Sequence, residues 1–288
     1  METGHHSMTK EIKKIANNNL SSINLEENQL SIQLSLDGFS FYIHNKHASE
    51  PVAFGVYEFS ENQPISPYKH LELVEEIFNK EPLLQHKFSK VSVSHFNNLT
   101  TQVPKPFFDK NKLPEYLQYT VKVLENDYIA FDEIINTEIV NVYIPFVNIN
   151  NFLLDQYGAF IFKHSSTILI ENLLNAYKNE ETALFFVNVT NANFEVVILK
   201  NNKLELFNCF SFTTKEDFIY YILFVAEQLK MNPEEFKLIL MGDIEKDSEL
   251  YKIVYQYVRN ISFYTPQNFP ELLNTLSPHS HFTLLNQF

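Results

Sequence analysis

The amino-acid sequence predicts an α/β protein with mixed sheets, built by duplication of one unit. Two observations carry this expectation. The stretch 29–45, QLSIQLSLDGFSFYIHN, reads as a strand, a tight turn at Asp37-Gly38 and a second strand. The stretch 184–199, LFFVNVTNANFEVVIL, repeats that layout around a polar turn from Thr190 to Asn193. Each hairpin is followed by a third strand and a helix, and a repeat this long indicates a duplicated domain rather than a solenoid.

The elements follow in order. The first eight residues, METGHHSM, read as an expression remnant, so His5 and His6 enter no metal argument. Residues 9–28 are polar and Asn-rich and read as a frayed lead-in, with an edge strand as the alternative. Leu30, Ile32, Leu34 and Leu36 then alternate with Ser31, Gln33 and Ser35, the period of a half-buried strand. Asp37-Gly38 is a hairpin signal, Phe39, Phe41 and Ile43 continue the alternation, and 51–59 forms a third strand. Pro64 to Pro67 breaks the chain before a helix at 69–80, with Leu71, Val74, Ile77 and Phe78 at helical spacing. A strand at 90–96 comes next. The segment 103–108, VPKPFF, reads as an irregular loop because two prolines remove donors and fix φ. A helix at 113–124 has Pro114 in its first turn.

Strands at 128–135 and 138–144, a helix at 145–157 stopped by Gly158, a strand at 159–163 and a helix at 165–177 complete the first half. A polar stretch at 178–182 marks the boundary. In the second half, strands at 183–189, 194–200 and 203–212 precede a helix at 215–230, which Thr213 or Thr214 can cap through its hydroxyl. A buried strand at 236–241 ends at Gly242-Asp243, and a helix at 248–258 and a strand at 261–264 follow. The tail from Pro266 is punctuated by Pro and Asn, with a helical patch at 270–276. Three antiparallel strands followed by alternating helix and strand is the ribonuclease H-like pattern, and two such units in tandem make the actin-like ATPase architecture. The expected domains are a remnant at 1–8, an N-terminal subdomain at 9–180 with an inserted segment at about 100–160, and a C-terminal subdomain at 181–288.

Composition narrows the function classes. A net charge of −13 argues against a nucleic-acid surface, which needs clustered Lys and Arg. Arg259 is the single arginine, too few for bidentate clamping of phosphates. The one cysteine, Cys209, excludes an internal disulfide and fits a reducing compartment. No apolar run approaches the roughly 20 residues that span a bilayer, so a cytoplasmic location is expected.

The run LSIQLSLDGFSFYI, the later VNVTNANFEVVIL and the MGDI after a buried strand together resemble a bacterial domain-of-unknown-function family typical of Bacteroidetes, whose members look like degenerate actin-like proteins. The middle section, with YIPFVNINNFLL, is similar in order to actin-like pilus-assembly and secretion-scaffold proteins, in which the body often serves as a cytoplasmic docking platform. An actin-like nucleotide site has an Asp inside the first strand and a Gly-rich turn after it. Alignment of LSIQLSLDG puts Gln33 at that Asp and Ser35 at the first Gly, with Asp37 late, in the turn itself. The second loop is Asn188-Val-Thr-Asn-Ala-Asn193 where Asp and Gly are expected, and the adenosine loop offers only Gly242 before Asp243. Outside the remnant the glycines are Gly38, Gly55, Gly158 and Gly242, whereas phosphate loops need glycine for close backbone approach.

The resemblance therefore implies a non-enzymatic binding or scaffold protein with a decayed nucleotide site and no cofactor. The alternative is a nucleotide-binding protein or weak ATPase that holds ATP with magnesium through unorthodox residues. The cleft candidates are Gln33, Asp37, Gly38, Thr190, Asn191, Gly242 and Asp243. An unknown protein is the expected partner, with a homodimer as the alternative; no nucleic acid and no membrane insertion are expected. The aromatic helix segment 218–226 and the Phe107-Phe108 loop are the first places to look for docking.

The remaining polar groups receive bland readings. Asp37, Glu58, Asp127, Asp132 and Asp243 read as turn and cap residues, because Gln33 replaces the central carboxylate of a two-metal nuclease. His279 and His281 read as exposed in the tail, and His44, His47, His95 and His164 as structural or solvated. Cys209 reads as a buried, inert thiol.

Overall fold

The computed structural model describes residues 8–18, 23–45, 50–60, 65–119, 121–124 and 127–288; the expected remnant up to Ser7, together with His47 and Pro64, lies outside them. The first hairpin is β2 (Asn28–Ser35) and β3 (Gly38–Asn45), preceded by β1 (Thr9–Ala16) and followed by β4 (Pro51–Phe59), α1 (Pro67–Lys80) and β5 (Lys90–Phe96). An inserted region holds β6 (Thr100–Pro104), α2 (Leu113–Leu117), β7 (Ala130–Glu133) and β8 (Ile139–Tyr143). The chain then returns through α3 (Val147–Tyr157) and β9 (Ile161–His164) to α4 (Ser165–Ala176). The second unit runs β10 (Leu184–Val189), β11 (Asn193–Lys200), β12 (Lys203–Ser211), α5 (Lys215–Gln228), β13 (Lys237–Gly242), α6 (Glu249–Tyr257) and β14 (Asn260–Phe263), with α7 (Phe282–Leu285) at the end of the tail.

The sheet orders reveal the duplication. Sheet one is β1-β4-β3-β2-β5-β9 and sheet two is β12-β11-β10-β13-β14. With β1 set aside, both place the third, second, first, fourth and fifth strands in that order. In each, the first two pairings are antiparallel and the last two parallel. This is the ribonuclease H-like order, twice. The inserted strands form a separate sheet, β6-β8-β7.

Strand alternation assigns the faces. Leu30, Ile32 and Leu34 point outward beneath Leu73, Val74 and Ile77 of α1, while Val187, Val196 and Leu240 do the same beneath Phe218 and Ile222 of α5. The inner faces receive helices from the opposite unit. Leu169 and Leu173 of α4 pack on Phe186, Val197 and Met241 of sheet two, and Leu273 and Leu284 from the tail pack on Tyr42 and Phe54 of sheet one. Each unit thus ends in a helix laid across the other. Leu284→Ala is expected to cost about 2–5 kcal/mol, the range for a fully buried leucine; urea denaturation checks this.

Several expectations need correcting. The lead-in forms β1, the edge-strand alternative, paired antiparallel with β4; a bulge between Glu11 and Lys13 and the charges of Lys10, Glu11, Lys13 and Lys14 guard its open edge. The loop expected at 103–108 begins as β6, because Pro104 lies on an edge strand where a missing donor costs nothing. The helix expected to run to Leu124 is α2, which stops at Leu117; Thr120, Val121 and Val123 are β-branched and lose χ1 freedom in a helix. Leu36 and Asp37 occupy the first hairpin turn, and Gly38 already belongs to β3. Glycine is required there because a Cβ would lie 2.7 Å from the Tyr57 carbonyl oxygen.

The tail also differs. His279 is buried and His281 half-buried, so neither is exposed. The His279 Nε2 lies 2.8 Å from the Ile244 carbonyl oxygen, and the His281 ring packs edge-on to Phe54. Burial holds His281 down to about 4, with nearby Lys13 adding to the effect. A tail rich in Pro and Asn carries no period, so its packing against sheet one leaves no local signal.

Candidate functional site

The pseudo-repeated hairpins bring their turns to one cleft. A cavity of about 620 Å³ is lined by Glu58, Thr190, Asn191, Thr214, Lys215 and Asp243, among others. Thr190 closes its own turn, donating to the Asn193 carbonyl from both its N–H (2.8 Å) and its hydroxyl (2.9 Å). Gly242 ends β13 at φ +82°. That conformation lets its N–H reach the His279 carbonyl at 2.9 Å and the next N–H, that of Asp243, reach Val189 at 2.8 Å. These amides are committed to the chain itself.

The electrostatics are acidic. Burial first, and then the charges of Asp37, Glu58 and Glu245, together push the Asp243 carboxyl up to about 6. The side chain is nonetheless open to solvent on its outer side. Lys215 is the cation on the cavity wall, and its ammonium lies 3.1 Å from Glu249, already paired. Thus Thr190, Asn191 and Asp243 line one cleft, Gly242 immediately precedes Asp243, and Asp37 is near enough for its charge to act on Asp243, with Gly38 opposite Glu58 in the sheet. Gln33 stands apart: it lies on the inner face of β2, which the tail covers, and its Oε1 is buried without a partner among the described residues. Nearby, Gln287 donates from Nε2 to the Ile32 carbonyl and the Ser94 hydroxyl, both at 2.9 Å.

The other carboxylates serve local structure. Asp127 accepts the Leu124 N–H at 2.7 Å. Asp132 accepts from the His164 N–H and the Thr167 hydroxyl, both at 2.8 Å, and from the Tyr143 hydroxyl at 3.1 Å, at the start of α4. Burial still raises the Asp132 carboxyl to about 6. Among the described residues, no group of three or more His, Cys, Asp or Glu side chains is placed to hold a metal ion. His95 and His164 are buried, and burial lowers both, to about 3 and about 4. Burial and the Glu195 charge push the Cys209 thiol up to about 12, which leaves it a poor nucleophile.

Three features escaped the sequence reading. Glu58 faces the cleft because Gly38 opposes it, a register that the sequence does not state. Glu195 sits on the inner face of sheet two and accepts the Asn188 amide at 2.9 Å; its place among the alternating residues Phe194, Glu195 and Val196 was the available signal. A second cavity, about 460 Å³, lies beside Leu36 between the start of α1 and the inserted region, with Ile144 and Phe146 on its wall. His70 forms part of that wall; burial holds it down to about 4, and its Nε2 has no partner among the described residues. Of the docking candidates, Phe107 is 76% exposed, and on α5 Tyr220 and Phe224 stack on each other in the open while Phe218, Ile222 and Val225 enter the core.

Comparison with known proteins agrees with this topology. The crystal structure of a Bacteroides thetaiotaomicron protein with actin-like ATPase fold and unknown function matches with a TM-score of 0.75 and 22% identity, over 91% of this chain and 100% of that one. The PilM-PilN type IV pilus biogenesis complex matches with a TM-score of 0.59 and 11% identity, over 92% and 98%. At these identities the likeness speaks for the fold alone. No curated protein sequence matches. Among the described residues, no helix is long and apolar enough to cross a membrane. A family model described as "Protein of unknown function (DUF3822)" matches residues 17–261, so the chain, with its actin-like ATPase fold, belongs to that family.

Proposed function

We propose that this protein is a non-enzymatic binding or scaffold module whose actin-like cleft has lost its nucleotide. The observation that carries this reading is the charge of the cleft. Triphosphate recognition calls for free backbone amides, Lys or Arg, and carboxylates that converge on magnesium. Here Glu58, Asp243 and Glu249 line the space, the charge of Asp37 reaches Asp243, Lys215 is paired, and the Gly242 and Asp243 amides bond within the chain. These residues do not fit ATP with magnesium, and no chemical step is assigned to them. The PilM-PilN type IV pilus biogenesis complex, one chain of which shares this fold, supports a docking role. The single cysteine supports a cytoplasmic location.

Thermal denaturation with and without ATP and magnesium tests the reading. No shift is expected. A magnesium-dependent stabilisation of about 2.7 kcal/mol, the gain at 100 times the dissociation constant, would overturn it. One observation favours the alternative, a nucleotide held by unorthodox residues: Thr190, Asn191 and Asp243 do line one cavity. In that case combined substitution of Asp37, Thr190 and Asp243 abolishes the shift.

A further inference from the structure

Two strand edges face each other across a groove. β6 is an edge of the inserted sheet and β12 an edge of sheet two. A cavity of about 640 Å³ is lined by Thr100, Thr101 and Gln102 on one side and by the run 204–209 on the other.

The hydrogen-bond pattern shows which backbone groups face the groove. The Ile144 N–H donates to Leu99 and the Lys105 N–H to Glu138. In an antiparallel pair bonded residues alternate, so 99, 101, 103 and 105 turn to β8 while Thr100 and Gln102 turn outward. On β12 the Phe212 N–H donates to Ala192, which sets 206, 208, 210 and 212 toward β11 and turns Phe207 and Cys209 outward. Independent support comes from Asn208, whose own Oδ1 takes the Cys209 N–H at 2.9 Å. The Gln102 Nε2 is buried without a partner among the described residues.

Part of the edge is chemically unguarded. β12 carries Lys203, Glu205 and a bulge at its start, and β1 carries a bulge and four charges along its edge, but 206–212, LFNCFSF, has no charge and no proline. Open edges of this composition are templates for pairing. We propose that the groove takes one extended peptide segment of a partner protein, which pairs its main chain with Phe207 and Cys209 of β12 and with Thr100 and Gln102 of β6. Main-chain donors and acceptors on both walls specify an extended chain, and a slot walled by two edges excludes the broad edge of a second folded sheet. The exposed Asn208 side chain caps Cys209 until the segment arrives, then swings aside. This inference names the kind of partner for the binding role proposed above and rests on that role; nucleotide binding would overturn the role, while an edge that takes no peptide would overturn only this inference.

The test is selection from a phage-displayed library of random peptides about eight residues long, the length of an ordinary strand. Selected peptides are expected to bind the full chain and to slow amide exchange at Thr100, Gln102, Phe207 and Cys209. Cys209→Pro removes an outward N–H and leaves the β11 ladder intact, and is expected to weaken binding at least about tenfold, as loss of main-chain pairing should. If that variant fails to fold, Asn208→Lys at an exposed position places a charge on the edge and gives the same loss. Three results overturn the proposal: no peptide enriched above background, binding indifferent to the folded variants, or the same amides slowed by protein concentration alone, which would make a second copy the occupant.

Discussion

Gly242→Ala is expected to destabilise the chain by about 4 kcal/mol or more, the size reserved for named structural faults. Two costs combine. The φ of +82° is a conformation that a residue with a Cβ adopts only at a cost of about 1–3 kcal/mol. The added Cβ would also lie 2.0 Å from the Val189 carbonyl oxygen and 2.8 Å from the Val189 nitrogen. Both of those atoms are backbone at the end of β10, the middle strand of sheet two, so the ends of β10 and β13 must part for it to fit. Gly242 also holds the tail through His279 and aims Asp243 at the cleft, so the damage reaches both. Gly158→Ala is the control, because Gly158 has φ +74° with nothing within 4 Å of a new Cβ; conformational strain alone should cost it about 1–3 kcal/mol. Urea denaturation reads both as midpoint shifts at unchanged slope. Equal losses in the two variants would show that the close approach to Val189 carries no weight.

The contrast between those two glycines marks what a sequence can show. Both stand after an element and read as stops, but only pairing places Val189 against one of them. The duplicated fold was legible because alternation in 30–36, 39–43 and the second hairpin is a local, period-two signal, and the topology followed from counting elements. β1 and β6 were harder to see. β1 is polar because its edge must repel other chains, and β6 contains a proline that only an edge tolerates. Of the site, Asp37, Thr190, Asn191 and Asp243 were legible because they fall at turns and strand ends, where cleft residues of such sheets sit. Glu58 and Gln33 were not. One faces the cleft through its register with Gly38, and the other is covered by a tail 250 residues away. A contact of that kind leaves no trace in local composition.

Glu195 lies in the same blind spot and yields the second large effect. Glu195→Gln is expected to raise the melting temperature above pH 7 and to leave it unchanged near pH 4. The carboxylate is 2% exposed on the inner face of β11, and burial pushes it up from its ordinary 4.5 to about 7, against the lowering effect of the Asn188 amide. The sign follows from the two states. Below pH 4.5 the group is protonated whether the chain is folded or not, and burial costs nothing through charge. As pH rises toward 7 the unfolded chain gives up the proton first, so folding is progressively disfavoured; above 7 the cost is complete. A shift of this size corresponds to about 3 kcal/mol. Glutamine has the same shape, carries no charge and keeps an acceptor for Asn188, so it removes that cost, a gain of roughly 5 °C for a chain of this length. Cys209 stands directly opposite Glu195 in the ladder, and the carboxylate helps to hold its thiol high. The same substitution should therefore lower the pH at which the thiol ionises, read by thiolate absorbance. A melting gain that stays constant from pH 4 to pH 8 would instead assign the effect to packing, and the charge on Glu195 would not be the cause.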